Sequence, residues 1–299
     1  MAKLNCLPSE TIIVEDSPVG ILAAHRSGAS TIRVECPEDI TVSLLERHIK
    51  DKGSRMERKA KWTNEKLNVL IPMAGEGSRF VSAGYVFPKP LIEVMGKPMI
   101  QVVVENIGID ANYIFVVRKS HREKYNLDSL LNVIAPDCKI IEVDKLTEGA
   151  ACTALLAKDL INTEDPLFFA NSDQFVEWDS CEFMYKMQET SADGGIVTFN
   201  SVHPKWSFAK TNEDGLVTEV AEKKPISDLA TVGYYFWKKG SDFVKYAEQM
   251  IEQDRRVNNE FYVCPVFNEA IEDNKQIRTF NAEKMWGLGT PHDLEYFIN

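Results

Sequence analysis

Apolar residues fall along this chain in short blocks separated by amphipathic stretches, a spacing that predicts strands joined by helices. The run Leu67 to Met73, LNVLIPM, has the length and β-branched content of a buried parallel strand. Tyr113 to Val117, Lys139 to Val143, Pro166 to Ala170, Ile196 to Asn200, Ser207 to Thr211, Val217 to Ala221 and Thr231 to Trp237 read as further strands. Asp214-Gly215 is a hairpin turn signal between two of them. Met99 to Asn106, His121 to Val133, Cys152 to Leu160, Ser241 to Gln253 and Pro265 to Ile271 read as helices. Such alternation is that of an α/β fold built on a parallel sheet. Residues 1–50 carry a smaller βαβα pattern: strand Thr11 to Val14, helix Pro18 to Ser27 with Gly28 just beyond it, strand Thr31 to Val34 and helix Asp39 to Lys50. Between the two patterns, residues 51–66 (DKGSRMERKAKWTNEK) are charged and lack apolar periodicity, so they read as an exposed linker. The expected organisation is therefore 1–50, 51–66 and 67–299.

Composition narrows the class. A 44% hydrophobic share with 26% charged residues is that of a soluble globular protein. The net charge of −11 disfavours nucleic acid as a partner, so any phosphate ligand must be held by local cations or a metal. The 6 cysteines are scattered without a C-x-x-C pair, which indicates neither a zinc site nor a disulfide framework. No leader segment or apolar run near the ~20 residues needed to span a bilayer is evident, and the expectation is a reduced, cytoplasmic protein without membrane insertion.

The strongest chemical signal follows the first long strand. Ala74, Gly75 and Gly77, then Ser78 and Arg79, form a small-residue loop whose backbone N–H groups can converge on a polyphosphate. Arg79 adds a fork of donors, and ten residues on Lys89 is braced between Pro88 and Pro90. Together these suggest a nucleoside triphosphate site. The dinucleotide fingerprint fails because Phe80 stands at its third glycine position, and no P-loop pattern occurs. Asp173, just beyond the strand Pro166 to Ala170, lies where α/β folds bind ligands and offers a first carboxylate to Mg2+. The turn Glu148-Gly149 enters a helix and can present a carboxylate and backbone groups to a flat ring; a favourable acidic first turn explains Glu148 equally well. Gly233 within its strand allows close approach of a ligand.

The string G-x-G-S-R-F followed by F-P-K-P-L-I and G-K-P-M resembles the nucleotidyltransferase family that activates sugar phosphates and related phospho-compounds, over roughly residues 67 to 299. The resemblance implies a Rossmann-like α/β domain with a mixed, mostly parallel sheet. It implies that Arg79 and Lys89 hold the triphosphate, that Asp173 coordinates the metal, and that Glu148 and Gly149 recognise the base. The E-K-K-P end of one strand implies that Glu222 contacts the acceptor and Lys223 its phosphate, with Gly233, Asn259 and Glu260 completing that pocket. Family members carry a second metal-binding aspartate in a W-x-D-x-G-T pattern; here Gly287 or Leu288 stands at that point, leaving Glu222 or Glu260 as substitutes. Separately, IIVEDSPVGILAAHRSGASTIRV resembles the C-terminal part of haloacid-dehalogenase-type hydrolases, which puts Glu15 and Asp16 at a magnesium-binding end. No D-x-D nucleophile pair occurs in the chain, so residues 1–50 are expected to be a truncated, catalytically silent unit.

These implications add up to nucleotidyl transfer with Mg2+: an NTP (CTP, UTP or dTTP) and a phosphorylated small-molecule acceptor give an NDP-linked product and pyrophosphate, in surface-polysaccharide or capsule precursor synthesis. A non-catalytic nucleotide-binding regulator is the alternative, and a phosphatase acting through residues 1–50 is nearly excluded. The N-terminal unit could also serve a homo-oligomer as a dimerisation surface.

Overall fold

In a computed structural model, the described residues are 11–17, 20–21, 23–24, 30–34, 36–46 and 63–298. The chain divides into two units, one within residues 1–61 and one spanning Trp62–Ile298.

In the first unit, β1 (Ile12–Glu15) pairs in parallel with β2 (Ser30–Arg33). Residues 20–21 and 23–24 between them are helical; the rest of the expected helix lies outside the described residues. Pro37–Asp39 is a 3-10 turn, and only 42–46 of the expected helix from Asp39 to Lys50 are described as helical. Glu15 is spent on the turn after β1. Its Oε1 accepts from the Ser17 N–H at 3.0 Å and the Ser17 hydroxyl at 2.8 Å, and these bonds, the backbone one foremost, hold the carboxyl below the usual glutamate range.

The second unit is built around β3 (Thr63–Pro72). Its side chains alternate between two cores: Leu67, Val69 and Ile71 fall in one, Leu70 in the other, and all are fully buried. Burial on both faces is why the run is continuously apolar. The strand begins at Thr63, so the last four residues of the expected linker belong to the central strand, and Thr63 pairs with Asp110. The pairing is irregular between Thr63 and Asn68, and Glu65 and Lys66 are exposed there, which is why this part of the strand tolerates polar residues.

After a β4–β5 ribbon (Glu93–Val94, Lys97–Pro98), strands β6 (Asp110–Arg118), β7 (Lys139–Val143) and β8 (Leu167–Ala170) complete a parallel set in the order β8-β3-β6-β7. The strand β9 (Gln174–Glu177) leaves the sheet. It is followed by β10 (Gly194–Asn200), β11 (Ser207–Thr211), β12 (Val217–Glu222), β13 (Leu229–Trp237), β14 (Ile277–Asn281) and β15 (Lys284–Gly287). The strand β13 runs antiparallel to β8 and extends the sheet through β11 to β12 and through β10 to β14.

One face is covered by the helix Met99–Ile107, whose Ile100, Val103, Val104 and Ile107 repeat at helical spacing. The other face is covered by the helices Gly240–Glu252 and Val266–Glu272, through Phe243, Val244, Ala247, Phe267 and Ala270. The expected helix His121 to Val133 is two helices, Lys119–Tyr125 and Leu127–Ile134, broken where Asn126 turns left-handed at φ 49°. Cys152 to Leu160 likewise divides into Ala150–Leu155 and Lys158–Ile161. Sequence patterning missed β9, β14, β15, the helix Ser180–Glu189 and the closing helix Pro291–Ile298.

Candidate active site

The carboxyl ends of β3 and β8 and the Thr231 to Tyr235 stretch of the antiparallel β13 open on one cleft of about 750 Å³. Arg79, Lys89 and Asp173 all line it, as do Ala74, Gly75, Gly77, Ser78, Gly149, Glu222, Lys223, Gly233 and Glu260.

The glycine loop is shaped by close contact. Gly77 is left-handed (φ 63°) and caps the short helix Ser78–Ser82; a Cβ there would lie 3.1 Å from Lys89 Cβ, so glycine lets the lysine segment pack against the loop. At Gly75 a Cβ would meet nothing within 4 Å. Arg118, unremarked in the sequence, pins the loop by donating from Nε to the Ala74 carbonyl at 2.8 Å. The Lys89 ammonium then reaches the Asp173 carboxylate at 2.8 Å, with both side chains mostly buried.

Gly149 is required by packing. Its φ is 135°, and a Cβ would stand 2.4 Å from the Phe261 carbonyl oxygen. The Phe261 N–H donates to the Glu148 carbonyl at 2.8 Å, and the Phe261 carbonyl accepts from Ala151 at 3.0 Å. The Glu148 side chain does not line the cleft; it is exposed and ion-paired to Arg256 at 2.5 Å. Lys145, Leu146 and Thr147 lie along that edge instead.

On the opposite side, Glu222 accepts a hydrogen bond from the Ser207 hydroxyl, and burial pushes its carboxyl above the usual glutamate range. Lys223 adopts φ 56° and donates from Nζ to the Tyr262 hydroxyl at 2.5 Å. Asn259 does not line the cleft. With Asn258 it forms a left-handed pair (φ 49° and 64°) inside the reciprocal Val257–Glu260 hydrogen bonds, a tight turn that favours asparagine. It is a turn residue, and Glu260 beyond it faces the cleft.

A further carboxylate comes from Asp293, which the sequence reading passed over. Its Oδ2 accepts from the Thr290 hydroxyl at 2.7 Å and its Oδ1 from Lys205 at 3.3 Å. Asp293 stands beside Gly287: a Cβ on that glycine would lie 3.8 Å from Asp293 Oδ2, while one on Gly289 would lie 2.7 Å from Asp173 Oδ2. The turn Gly287-Leu288-Gly289 thus runs between two carboxylates, and its Leu288 N–H donates to the Asp173 carbonyl at 2.8 Å. The T-x-x-D spacing of Thr290 and Asp293 signals a helix N-terminus, and the Asp293 N–H does bond the Thr290 hydroxyl at 3.1 Å, which hides its position in the cleft. Lys205 and Trp206 also line the cleft without sequence warning.

The lining cations Arg79, Lys89, Lys145, Lys205 and Lys223 face the acids Asp173, Glu222, Glu260 and Asp293. On a chain of net charge −11, these cations are gathered locally in the cleft. Among the described residues no group of three or more His, Cys, Asp and Glu gathers for a metal, and none of their helices is long and apolar enough to cross a membrane.

Residues 68–297 match the family model described as nucleotidyl transferase. Among curated proteins, the chain is 28% identical over 178 residues to the bifunctional protein GlmU of Methanocaldococcus jannaschii, covering 58% of this chain and 40% of that protein. It is 25% identical over 232 residues to the low-salt glycan biosynthesis nucleotidyltransferase Agl11 of Haloferax volcanii, covering 75% of this chain and 63% of that protein. It is 25% identical over 243 residues to a mannose-1-phosphate guanyltransferase of Schizosaccharomyces pombe, covering 76% and 62%. The matches thus span between 40% and 63% of these relatives' lengths. Among solved structures, a nucleoside-diphosphate-sugar pyrophosphorylase from Vibrio cholerae superposes with a TM-score of 0.67 at 24% identity, covering 77% of this chain and 99% of that one. A UDP-glucose pyrophosphorylase complexed with UDP-glucose gives 0.61 at 19% identity, covering 78% and 97%. These neighbours share the fold: a mixed α/β sheet with parallel central strands.

Proposed function

The chain belongs to the nucleotidyl transferase family, and we propose that it transfers a nucleoside monophosphate from an NTP to a phosphorylated small-molecule acceptor. A phosphate oxygen of the acceptor attacks the α-phosphorus, the bond from that phosphorus to the bridging oxygen breaks, and pyrophosphate leaves with the electron pair. The nucleophile is already an anion, so no strong general base is needed, and the work is positioning and charge neutralisation. The observation that carries the reading is the convergence of Arg79, Lys89 and Asp173 on one cleft, with Lys89 against Asp173 at 2.8 Å.

In this reading, backbone N–H groups from Gly75 to Ser78 and the Arg79 guanidinium hold the leaving β and γ phosphates. Lys89 offsets charge at the α-phosphate. Lys223 anchors the incoming phosphate, and Glu222, Gly233 and Glu260 shape the pocket around the rest of the acceptor. Gly149 and its neighbours present backbone groups to a base, with CTP, UTP or dTTP as donor. The two carboxylates beside the Gly287-Leu288-Gly289 turn are hard oxygen donors of the kind Mg2+ takes together with phosphate oxygens, so Asp173 and Asp293 are the residues to hold it. When bound, the ion supplies charge neutralisation to the triphosphate.

We place the reaction in the cytoplasm, in precursor synthesis for a surface polysaccharide, and residues 1–50 as a haloacid-dehalogenase-like appendage without phosphatase activity. Pyrophosphate release, measured across the four common NTPs and a panel of phosphorylated acceptors with Mg2+, tests the transfer. No release from any pair, with NTP binding retained, replaces it with a nucleotide-binding regulator. Hydrolysis of p-nitrophenyl phosphate tests the appendage.

A further inference from the structure

Polar side chains on the acceptor side of the cleft mostly satisfy one another. Ser207 donates to Glu222, the hydroxyls of Thr231 and Tyr235 meet at 2.9 Å, and Lys223 donates to Tyr262 at 2.5 Å. Gln174 breaks the pattern. Its side chain is buried, with the residue 2% exposed, and its Oε1 accepts from Asn171 Nδ2 at 3.4 Å. Its Nε2 has no partner among the described residues. Of the buried side-chain nitrogens and oxygens in that condition, which include Trp237 Nε1 and Glu269 Oε2, only Gln174 Nε2 belongs to a residue lining the cleft. A buried donor without a partner is costly, and native sites keep one where a ligand completes it.

The surroundings fix where that ligand atom would sit. Gln174 opens β9 opposite Gly287 of β15, which holds its backbone. Asn171 donates its backbone N–H to the Gly233 carbonyl at 3.2 Å. Gly233 has φ 82°, and a Cβ on it would lie 2.2 Å from Asn171 Nδ2 and 3.0 Å from Gln174 Nε2. The bare Cα of Gly233 therefore faces both carboxamides, with all three residues on the cleft wall. A neutral amide adjacent in sequence to Asp173 suits a neutral oxygen better than a phosphate oxygen, which the lining lysines Lys205 and Lys223 are equipped to take.

We propose that Gln174 is a specificity-determining residue that donates through Nε2 to a hydroxyl of the acceptor, over Gly233. The inference rests on the transfer reaction above and adds to it which side chain reads the non-phosphate part of the acceptor. A site built around such a donor discriminates strongly against an acceptor lacking the matching hydroxyl.

The experiment compares the full chain with its Gln174→Met and Gln174→Glu variants. The probes are hexose 1-phosphates and their monodeoxy derivatives, read by pyrophosphate release. The expected result is a fall of about tenfold or more in kcat/KM for the best acceptor, carried mainly by acceptor KM, with NTP KM unchanged. One monodeoxy acceptor should show the same loss with the wild type and no added loss with Gln174→Met. The unliganded Gln174→Met protein should melt close to wild type, because Met removes an unpaired donor together with only the long 3.4 Å bond from Asn171, while the upward melting shift given by the hexose 1-phosphate should shrink. Unchanged kcat/KM in Gln174→Met, or losses that add for every monodeoxy acceptor, overturns the assignment and leaves a water-filled corner. If Gln174→Met fails to fold, Gln174→Glu gives the same comparison. No pyrophosphate release by the wild type with any NTP and any phosphorylated acceptor of the wider panel overturns the parent reading and this one together, whereas transfer with additive losses overturns this one alone.

Discussion

The Lys89 ammonium and the Asp173 carboxylate meet at 2.8 Å although 84 residues separate them in sequence. Each is delivered by a rigid device: Lys89 opens a 3-10 turn after Pro88, and Asp173 follows the fully buried strand Leu167–Ala170. Held together in a cleft, they give a cation and an anion that, under the proposed transfer, a metal-bound triphosphate would separate.

Replacing Lys89 should therefore damage turnover more than folding. Lys89→Ala leaves Asp173 unpaired, but that carboxylate is partly solvated and the fold should persist. The expected outcome is a fall in kcat of roughly 10²- to 10³-fold, the scale seen when a charge-stabilising donor is removed. Pyrophosphate release together with a thermal melt checks both halves, and unchanged turnover removes Lys89 from the reaction.

Glu222 makes a prediction about pH. Burial raises its carboxyl above the ordinary value of 4.5. The folded protein then keeps this proton to higher pH than the unfolded chain does. The stability it contributes is full below the ordinary value and is lost as pH rises through the raised one. Glu222→Gln should remove that loss, so the wild type should lose stability relative to the variant as pH climbs from about 4.5 toward neutrality. Denaturant midpoints of both proteins across that range measure it; parallel curves show that Glu222 does not couple to folding.

The glycines divide into two kinds, which substitution can separate. Gly149→Ala places a Cβ 2.4 Å from the Phe261 carbonyl oxygen at φ 135° and should cost about 2 kcal/mol or more. Gly75→Ala meets nothing within 4 Å and should change stability by only about 0.5 kcal/mol or less. If the loop cradles phosphates, Gly75→Ala should still raise the NTP KM, because the added methyl stands in the ligand's space. Chemical denaturation and NTP titration of the two variants make the comparison.

Sequence patterning was informative where chemistry is local. The buried run at Leu67 to Met73, the glycines after it and the proline-braced Lys89 are set within about twenty residues; the run falls in the central strand, and Gly75, Gly77 and Lys89 line one cleft at its end. It failed where a long-range pairing creates the element. Gln174–Glu177 and Lys284–Gly287 are four-residue strands that exist only because they pair with each other, and that pairing puts Gln174 opposite Gly287. It also failed where one residue type serves two purposes. Asn259 carries a left-handed turn, Glu148 an exposed ion pair, and Asp293 stands at the start of the closing helix Pro291–Ile298, which patterning did not find, with its N–H on the Thr290 hydroxyl.

Asp293 leads to the last prediction. Gly287 leaves the turn without a side chain, and Asp293 fills the neighbouring space, its Oδ2 3.8 Å from where a Cβ on Gly287 would be. If Asp173 and Asp293 hold the ion together, Asp293→Asn should weaken Mn2+ binding in the presence of NTP by about tenfold or more, and Asp173→Asn by at least as much. The paramagnetic signal of free Mn2+ reads this directly, without turnover. Lys205 supplies the control: it pairs with Asp293 at 3.3 Å, so Lys205→Met removes a competing cation and should leave Mn2+ affinity equal or higher. Equal Mn2+ affinity in Asp293→Asn and wild type assigns that aspartate to the helix start alone, with Asp173 and the phosphates as the remaining ligands.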